Sequence, residues 1–250
     1  MKTWKPAVRF IAALLPISLA GGWFSLQYQI ELFDPAVLEQ AVTQLGSLEL
    51  LLVIGLLQTV SSTAVCGFFG YLLSQKLGLM GPFQLKGAAL KRTLVLSLLF
   101  GVLFSLDPWI FGSLLPEIRS PAAAGVTLNA LFASVLYGGV IEEIMLRLFF
   151  MSLLAWIMWK LFSRRAETVP PGVLCAANVL AALVFAAGHL PATVSAFGGL
   201  NAVLLVRCFL LNGGFGLLFG WLYRKHGIQY AMLSHALLHL VSKAVWALLL

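Results

Sequence analysis

The sequence contains few charged residues. Of its 250 residues, 16 are Lys or Arg and 9 are Asp or Glu, whereas 61% are hydrophobic. About a quarter of the residues in a soluble globular domain are charged, so this chain lacks the polar residues that would cover a surface in water. Disorder is excluded because it requires low hydrophobicity and high net charge. A transmembrane barrel is excluded because the alternating strands and turn clusters that it needs are missing.

Cysteine is also rare. The three cysteines, Cys66, Cys175 and Cys208, are scattered through apolar segments without a Cys-x-x-Cys motif or the spacing of a disulfide framework. We interpret them as small, buried hydrophobic residues.

Long apolar runs make up most of the chain. Because a membrane-spanning helix needs about 20 apolar residues, the sequence predicts an all-α fold, a polytopic transmembrane helix bundle of about seven to eight helices. The first segment is interpreted as an uncleaved anchor, since its apolar stretch continues through Trp23 and Phe24 without an Ala-x-Ala cleavage site. The candidate segments are 9–29, 48–74, 93–115, 123–162, 172–190, 197–223 and 228–250.

The segment 123–162 is too long for one crossing. As a single helix it would extend about 60 Å, twice the thickness of the hydrocarbon core. We predict a crossing helix over roughly 142–162, preceded by a helix that is embedded without crossing or that continues at a kink. The predicted break is Tyr137-Gly138-Gly139.

Basic loops alternate with acidic or neutral loops along the chain. Lys and Arg are enriched in cytoplasmic loops, so the pattern predicts a multi-pass protein of the plasma (inner) membrane with a cytoplasmic N-terminus. The net charge of +7 is then explained by topology, and the expected partner is membrane lipid, not nucleic acid. The basic clusters are Lys2, Lys5 and Arg9, then Lys76, Lys86, Lys91 and Arg92, then Lys160, Arg164 and Arg165, and finally Arg224 and Lys225.

Several ionisable residues nevertheless fall inside apolar segments. Each costs about 2.5–3.5 kcal/mol at the centre of a membrane helix, so each is a candidate functional residue. They are Glu142, Glu143, Arg147, His189, Arg207, His235, His239 and Lys243.

The spacing of the first group separates two roles. Glu143 and Arg147 are four residues apart and share a helix face, so they are expected to form an ion pair. Glu142 is five residues from Arg147 and is left to face another helix, where a carboxylate is suited to act as a general base. The alternative is a single ion cluster of all three residues that holds helices together.

The histidines follow on later helices. His189 ends an apolar helix just before Pro191. His235 and His239 are four residues apart, so both imidazoles can bind one metal or donate hydrogen bonds to one oxyanion. Lys243 is expected to extend to the outer surface, and His226 is expected to be solvated in a basic turn.

A polar position also lies between the histidine motifs. Asn212 is a candidate supporting residue that can bond the substrate backbone or a catalytic histidine. Glycines near it would allow close helix approach; they are Gly213, Gly214, Gly216 and Gly220.

Three motifs in this order resemble the CPBP family, which comprises CAAX proteases and bacteriocin-processing enzymes and is also called the Abi family. The motifs are Glu-Glu-x-x-x-Arg, Phe-x-x-x-His and His-x-x-x-His, and the resemblance covers roughly residues 123–250. The matching residues are Glu142, Glu143, Arg147, Phe185, His189, His235 and His239. In the family the last position is often Asn or Asp, so His239 departs from the pattern.

The resemblance implies an intramembrane endopeptidase. Glu142 and His189 would activate water, His235 and His239 would stabilise the oxyanion, and Glu143 and Arg147 would support the site. Family members are described both as glutamate proteases without metal and as metalloproteases. Zn²⁺ bound by Glu142, His189, His235 and His239 would leave Glu143 as the base, and its pairing with Arg147 argues against that role, so no cofactor is favoured.

Other chemistries fit the sequence less well. There is no His-Glu-x-x-His or Gly-x-Ser-Gly motif, and the only aspartates, Asp34 and Asp107, fall in predicted outer loops. The alternatives to a protease are a non-catalytic membrane scaffold of the same fold and a proton- or ion-coupled transporter. We expect N-terminal transmembrane helices over 1–122, a catalytic core over 123–250, and as substrate a membrane-associated polypeptide, either a prenylated CAAX-type protein or a leader peptide.

Overall fold

A computed structural model describes residues 4–32, 35–119 and 126–250, and within these ranges the chain forms helices and no β-strand. The predicted all-α fold is therefore confirmed. Lys2, Asp34 and residues 123–125, which enter the sequence predictions, lie outside the described residues. The α-helices are α1 (Trp4–Leu32), α2 (Pro35–Leu45), α3 (Leu48–Lys76), α4 (Gly87–Ser105), α5 (Asp107–Phe111), α6 (Leu128–Phe132), α7 (Ser152–Phe162), α8 (Pro171–Gly188), α9 (Leu190–Phe197), α10 (Ala202–Cys208), α11 (Phe215–His226) and α12 (Ile228–Leu249). The π-helices are π1 (Ala133–Glu142), π2 (Ile144–Met151) and π3 (Phe209–Gly214), and one 3₁₀ turn covers Pro116–Arg119.

Six helical stretches of the described chain are long and apolar enough to cross a membrane. They correspond to six of the seven segments predicted from the sequence. They are Trp4–Leu32, Leu48–Lys76, Gly87–Phe111, Pro171–Phe197, Ala202–His226 and Ile228–Leu249. The side of the membrane on which each loop lies stays a prediction from charge.

The seventh predicted segment is helical throughout residues 128–162, from α6 through π1 and π2 to α7. The predicted break at Tyr137-Gly138-Gly139 is therefore wrong, because these residues lie inside π1. Gly139 serves packing instead, since it lets α12 approach the helix closely. A π winding changes the direction of successive side chains, and such windings are frequent at functional sites.

The outer helices bury small residues and expose large ones. In α4 the buried positions are four residues apart and comprise Thr93, Ser97, Gly101 and Ser105. Ser97 donates a hydrogen bond of 3.0 Å to Ser234 of α12. Leu94 and Leu98 of the same helix are 44% and 59% exposed. Small residues at helix contacts are typical of membrane bundles, so the exposed apolar faces are suited to lipid.

The cysteine prediction holds for one residue of three. Cys208 is buried, Cys66 is half-buried and Cys175 is exposed, and all three are free thiols. The prediction failed because an apolar helix in lipid exposes part of its apolar surface, so an apolar sequence neighbourhood does not establish burial in protein.

Two residues predicted near solvent are more enclosed than expected. Lys243 is only 7% exposed and packs within the bundle, so its predicted extension along the outer surface is wrong. His226 is half-buried, with its ring next to those of Trp221 and Tyr230. The two aromatic rings give its imidazole an apolar contact that charge patterning does not reveal.

Candidate active site

One cavity of about 460 Å³ brings together the residues singled out in the sequence. Residues from α1, π1, α8, π3, α11 and α12 line it, with Phe104 of α4. The lining includes Glu142, His189, Asn212, His235 and His239. These residues come from four separate helical segments, so the fold and not sequence proximity assembles them.

Three of the polar atoms surround Gly138. A Cβ atom built on Gly138 would stand 3.6 Å from Nε2 of His235, 3.7 Å from Nε2 of His239 and 3.8 Å from Oε2 of Glu142. Glycine leaves this position open. A small group, such as a water molecule or a carbonyl oxygen, therefore has room between the carboxylate and the two imidazoles.

The carboxylate of Glu143, next to Glu142 in the sequence, already has two partners. Oε1 of Glu143 lies 3.1 Å from Nη1 of Arg147 and 2.8 Å from Nδ1 of His235, and all three side chains are buried. The ion pair predicted from the four-residue spacing is thus present, and His235 joins it. Glu142 is the carboxylate that faces the cavity.

Aromatic rings pack against His235 and Arg147, the two partners of Glu143. The His235 ring stacks on Phe219 at 4.3 Å with an angle of 14° between the planes. The Arg147 guanidinium lies 4.4 Å from the centre of the Phe185 ring and donates a 3.2 Å hydrogen bond to the Gly216 carbonyl. Cation–π contacts of this kind strengthen when they are shielded from water. Arg147 is therefore fixed by packing as well as by charge.

The orientation of His235 follows from its partner. The Glu143 carboxylate accepts a hydrogen bond, so Nδ1 of His235 carries the proton. Nε2 then faces the second imidazole, with 3.2 Å between Nε2 of His235 and Nε2 of His239. In the neutral pair, Nε2 of His239 is the donor of that hydrogen bond.

His189 lies at a helix junction, as its position before Pro191 predicts. Helix α8 ends at Gly188, and α9 begins at Leu190 with Pro191 in its first turn, where the missing N–H is not needed. Nδ1 of His189 lies 2.8 Å from the carbonyl oxygen of Phe185. Because a carbonyl only accepts, Nδ1 carries the proton and Nε2 is left as the acceptor of the neutral ring.

A close helix contact sets the distance between the motifs. A Cβ atom on Gly139 would stand 2.8 Å from Cβ of Ala236 and 3.1 Å from its backbone nitrogen. Contacts this short are not tolerated, so only glycine allows π1 to lie directly against α12. This contact is what brings Glu142 and Glu143 to the histidines of α12.

The sequence did not predict the walls of the cavity. Tyr28 and Gln29 of α1, Tyr137 of π1 and two aromatic rings of α11 also line it. Tyr28 and Gln29 are polar residues near the end of an apolar span, which is the one signal that pointed to them. The aromatic residues of α11, Phe215 and Phe219, have no signal that distinguishes them from lipid-facing residues.

Asn212 and Arg207 have different surroundings. Asn212 lines the cavity, and its Nδ2 donates 3.0 Å to the Cys208 carbonyl. Arg207 does not line the cavity; it binds Asp107 through two hydrogen bonds of 2.8 and 2.5 Å. Asp107 was predicted in an outer loop but is buried at the start of α5, because the Arg207 guanidinium compensates its charge.

Catalytic zinc sites use three protein ligands and an open position. Among residues 4–32, 35–119 and 126–250, no three His, Cys, Asp or Glu side chains converge at the spacing of a metal site.

The fold and the site together define a polytopic helical membrane protein with a glutamate–histidine centre enclosed by its helices. Residues 123–241 match the family model of Rce1-like, type II CAAX prenyl endopeptidases. This stretch, just under half of the chain, contains every candidate site residue, and the match is consistent with a CPBP-family intramembrane protease. The resemblance inferred from the motifs is thereby confirmed. No curated protein and no solved structure matches the chain.

Proposed function

We propose that this protein is an intramembrane endopeptidase in which Glu142 and His189 activate a water molecule, without a metal, to cleave a membrane-associated polypeptide. The observation that supports the proposal is that the two adjacent glutamates have different surroundings. Glu143 is engaged by Arg147 and His235, whereas Glu142 faces the cavity beside two imidazole nitrogens.

The first step is the attack of water on the scissile carbonyl. A water molecule donates one hydrogen bond to the Glu142 carboxylate and the other to Nε2 of His189. Glu142 takes a proton as the water oxygen bonds to the carbonyl carbon, which is general base catalysis. The carbonyl π electrons move to its oxygen, and a tetrahedral oxyanion forms.

The second step is the collapse of that intermediate. Nε2–H of His239, which is bonded to Nε2 of His235 in the unliganded site, exchanges that partner for the oxyanion. A donor to an oxyanion typically contributes about 2.7–4 kcal/mol to a transition state. Glu142 then gives its proton to the amide nitrogen, the C–N bond breaks, and the products are a carboxylic acid and an amine.

The proposed substrate class follows from the family and the surroundings. The matched family is described by its action on CAAX prenyl proteins, and a leader peptide is the second substrate class considered. The cavity combines the polar residues above with apolar side chains such as Phe104, Leu211 and Phe215. This lining suits a peptide segment that carries or adjoins an apolar group. The charge pattern supports a plasma-membrane protein with its N-terminus in the cytoplasm.

The test compares Glu142→Gln with wild type in native membranes. Protein termini are measured by mass spectrometry, and cleavage of candidate prenylated and leader peptides is measured with purified protein. Glu39→Gln is the matched control, because Glu39 is an exposed carboxylate on α2. We expect termini that appear with wild type and Glu39→Gln but not with Glu142→Gln. Identical termini in all three, at equal protein levels, would contradict the proposal and favour the scaffold or transporter alternatives.

A further inference from the structure

A second cavity adjoins the candidate active site. It has a volume of about 210 Å³ and lies between α1, α3 and π1. It shares three wall residues with the catalytic cavity, namely Ser25, Gln29 and Tyr137. The two spaces therefore have a common boundary at these three side chains.

The lining of this side cavity is polar but uncharged. Among the described residues that line it, none is ionised at neutral pH. Its hydrogen-bonding side chains are Ser25, Gln29, Gln58, Thr59, Ser62 and Tyr137. Such a lining offers no counter-ion for a phosphate, a carboxylate or a metal, so an ionic ligand is not favoured.

Water fits the side cavity. A buried water needs about 10–15 Å³ of accessible volume and two to four polar partners, and the cavity offers far more of both. Helix α3 is mostly apolar. Its buried residues are small and are Thr63, Gly67, Gly70 and Ser74. Thr59 donates a hydrogen bond to the Gly55 carbonyl, and Gln29 donates one to Ser25. Hydroxyl and amide groups can form more than one hydrogen bond each, and water in the cavity would satisfy this remaining capacity.

Water in the side cavity could be consumed in peptide hydrolysis. A polypeptide that fills the catalytic cavity displaces the water there, yet each peptide bond cleaved consumes one water molecule. We propose that the side cavity is a water store that supplies Glu142 while the substrate occupies the catalytic cavity, across the boundary of Ser25, Gln29 and Tyr137. Tyr137 precedes Glu142 by five residues, about one π turn, and both line the catalytic cavity. This inference rests on the proposed function.

The test fills or dries the side cavity without touching the proposed catalytic residues. Ser62→Leu adds bulk inside it, and Ser61→Leu adds the same bulk at the exposed neighbouring position on α3. Thr59→Val removes a hydroxyl from the wall at nearly constant shape, and Thr59→Ser keeps the hydroxyl. We expect Ser62→Leu and Thr59→Val to lower kcat about tenfold or more while KM stays within about twofold. The two control variants should keep both constants near the wild-type values.

An independent readout does not depend on activity. Hydroxyl radicals generated from bound water by an X-ray pulse oxidise nearby methionine to its sulfoxide, and Met145 lines the side cavity. Oxidation of Met145 should fall in Ser62→Leu and remain in Ser61→Leu. Unchanged kcat and unchanged Met145 oxidation in Ser62→Leu would overturn the inference. If Glu142→Gln cleaves as well as wild type, the proposed function fails instead, so the two failures are distinguishable.

Discussion

The Glu143 carboxylate accepts a 2.8 Å hydrogen bond from Nδ1 of His235, which is 92 positions away in the sequence. The same oxygen lies 3.1 Å from the Arg147 guanidinium. One buried carboxylate therefore neutralises an arginine and orients an imidazole whose other nitrogen faces the cavity. The proposed mechanism accordingly depends on Glu143 for geometry and on Glu142 for chemistry.

This difference predicts that Glu→Gln lowers stability at position 143 and abolishes cleavage at position 142. Glu143→Gln removes the carboxylate that contacts the buried Arg147 cation, and removing one partner of a buried pair costs about 3–5 kcal/mol. Glu142→Gln should change the free energy of unfolding by less than about 1 kcal/mol while it abolishes cleavage. Thermal or denaturant unfolding in detergent micelles measures both.

A double substitution checks the cause. In Glu143→Gln/Arg147→Met neither charge remains, so the double variant should lose less stability than the sum of the two single losses. Additive losses would show that the two side chains do not stabilise each other.

Two adjacent glycines predict a second contrast. Gly139→Ala places a methyl group within 2.8 Å of Ala236, so helix α12 must shift, at a cost of about 1–3 kcal/mol. Gly138→Ala meets its neighbours at 3.6–3.8 Å, which is ordinary contact, so the fold should keep its stability. Its methyl group would nevertheless occupy the space among Glu142, His235 and His239. We expect kcat/KM to fall about 100-fold without a lower melting temperature.

The measurement is a peptide-cleavage assay beside a thermal unfolding curve for each variant. Full activity of Gly138→Ala would show that the reaction does not use the space beside Gly138. A Gly139→Ala variant as stable as wild type would mean that the contact with Ala236 does not set the helix spacing.

The sequence predicted the candidate site better than it predicted the surroundings. Spacing is local information, so the pairing of Glu143 with Arg147 and the helix end at His189 could be deduced. The partner of Arg207 could not, because nothing local indicates that Asp107, a hundred positions earlier, lies against it.

Lipid is the physical reason for the remaining errors. In water, apolar periodicity identifies the buried face of a helix, but in a membrane both faces are apolar. Cys175 was therefore predicted buried and is exposed. Gly138 and Gly139 were predicted to break a helix, whereas both lie in a continuous π winding and Gly139 lets α12 pack against it.

The Asp107–Arg207 pair predicts a loss of stability without a loss of chemistry. Asp107 is 3% exposed and Arg207 is 22% exposed. Arg207→Leu leaves a buried carboxylate unpaired and should lower the free energy of unfolding by about 3 kcal/mol. Arg165→Leu, at an exposed position, should change it by less than about 0.5 kcal/mol.

The rate of cleavage per folded molecule should be the same in both arginine variants, because neither residue lines the catalytic cavity. Activity measured below the melting temperature, normalised to folded protein, checks this. A lower kcat with unchanged stability in Arg207→Leu would instead place Arg207 in the reaction.

Metal removal tests the chemistry directly. A zinc ion needs imidazole nitrogens at about 2.0–2.1 Å and a third protein ligand. The two Nε2 atoms of His235 and His239 lie 3.2 Å apart, a separation that two imidazoles bound to one tetrahedral zinc can also have, so the measurement decides between the two mechanisms. The proposed mechanism uses no metal, and we expect purified protein dialysed against a strong chelator to keep its activity within about twofold, with zinc far below one equivalent by mass spectrometry. Loss of activity on chelation, with recovery on adding zinc, would reassign Glu142 from base to ligand. It would then require a rearrangement that releases Glu143 from Arg147, because Glu143 is the remaining carboxylate in contact with the imidazole pair among the described residues.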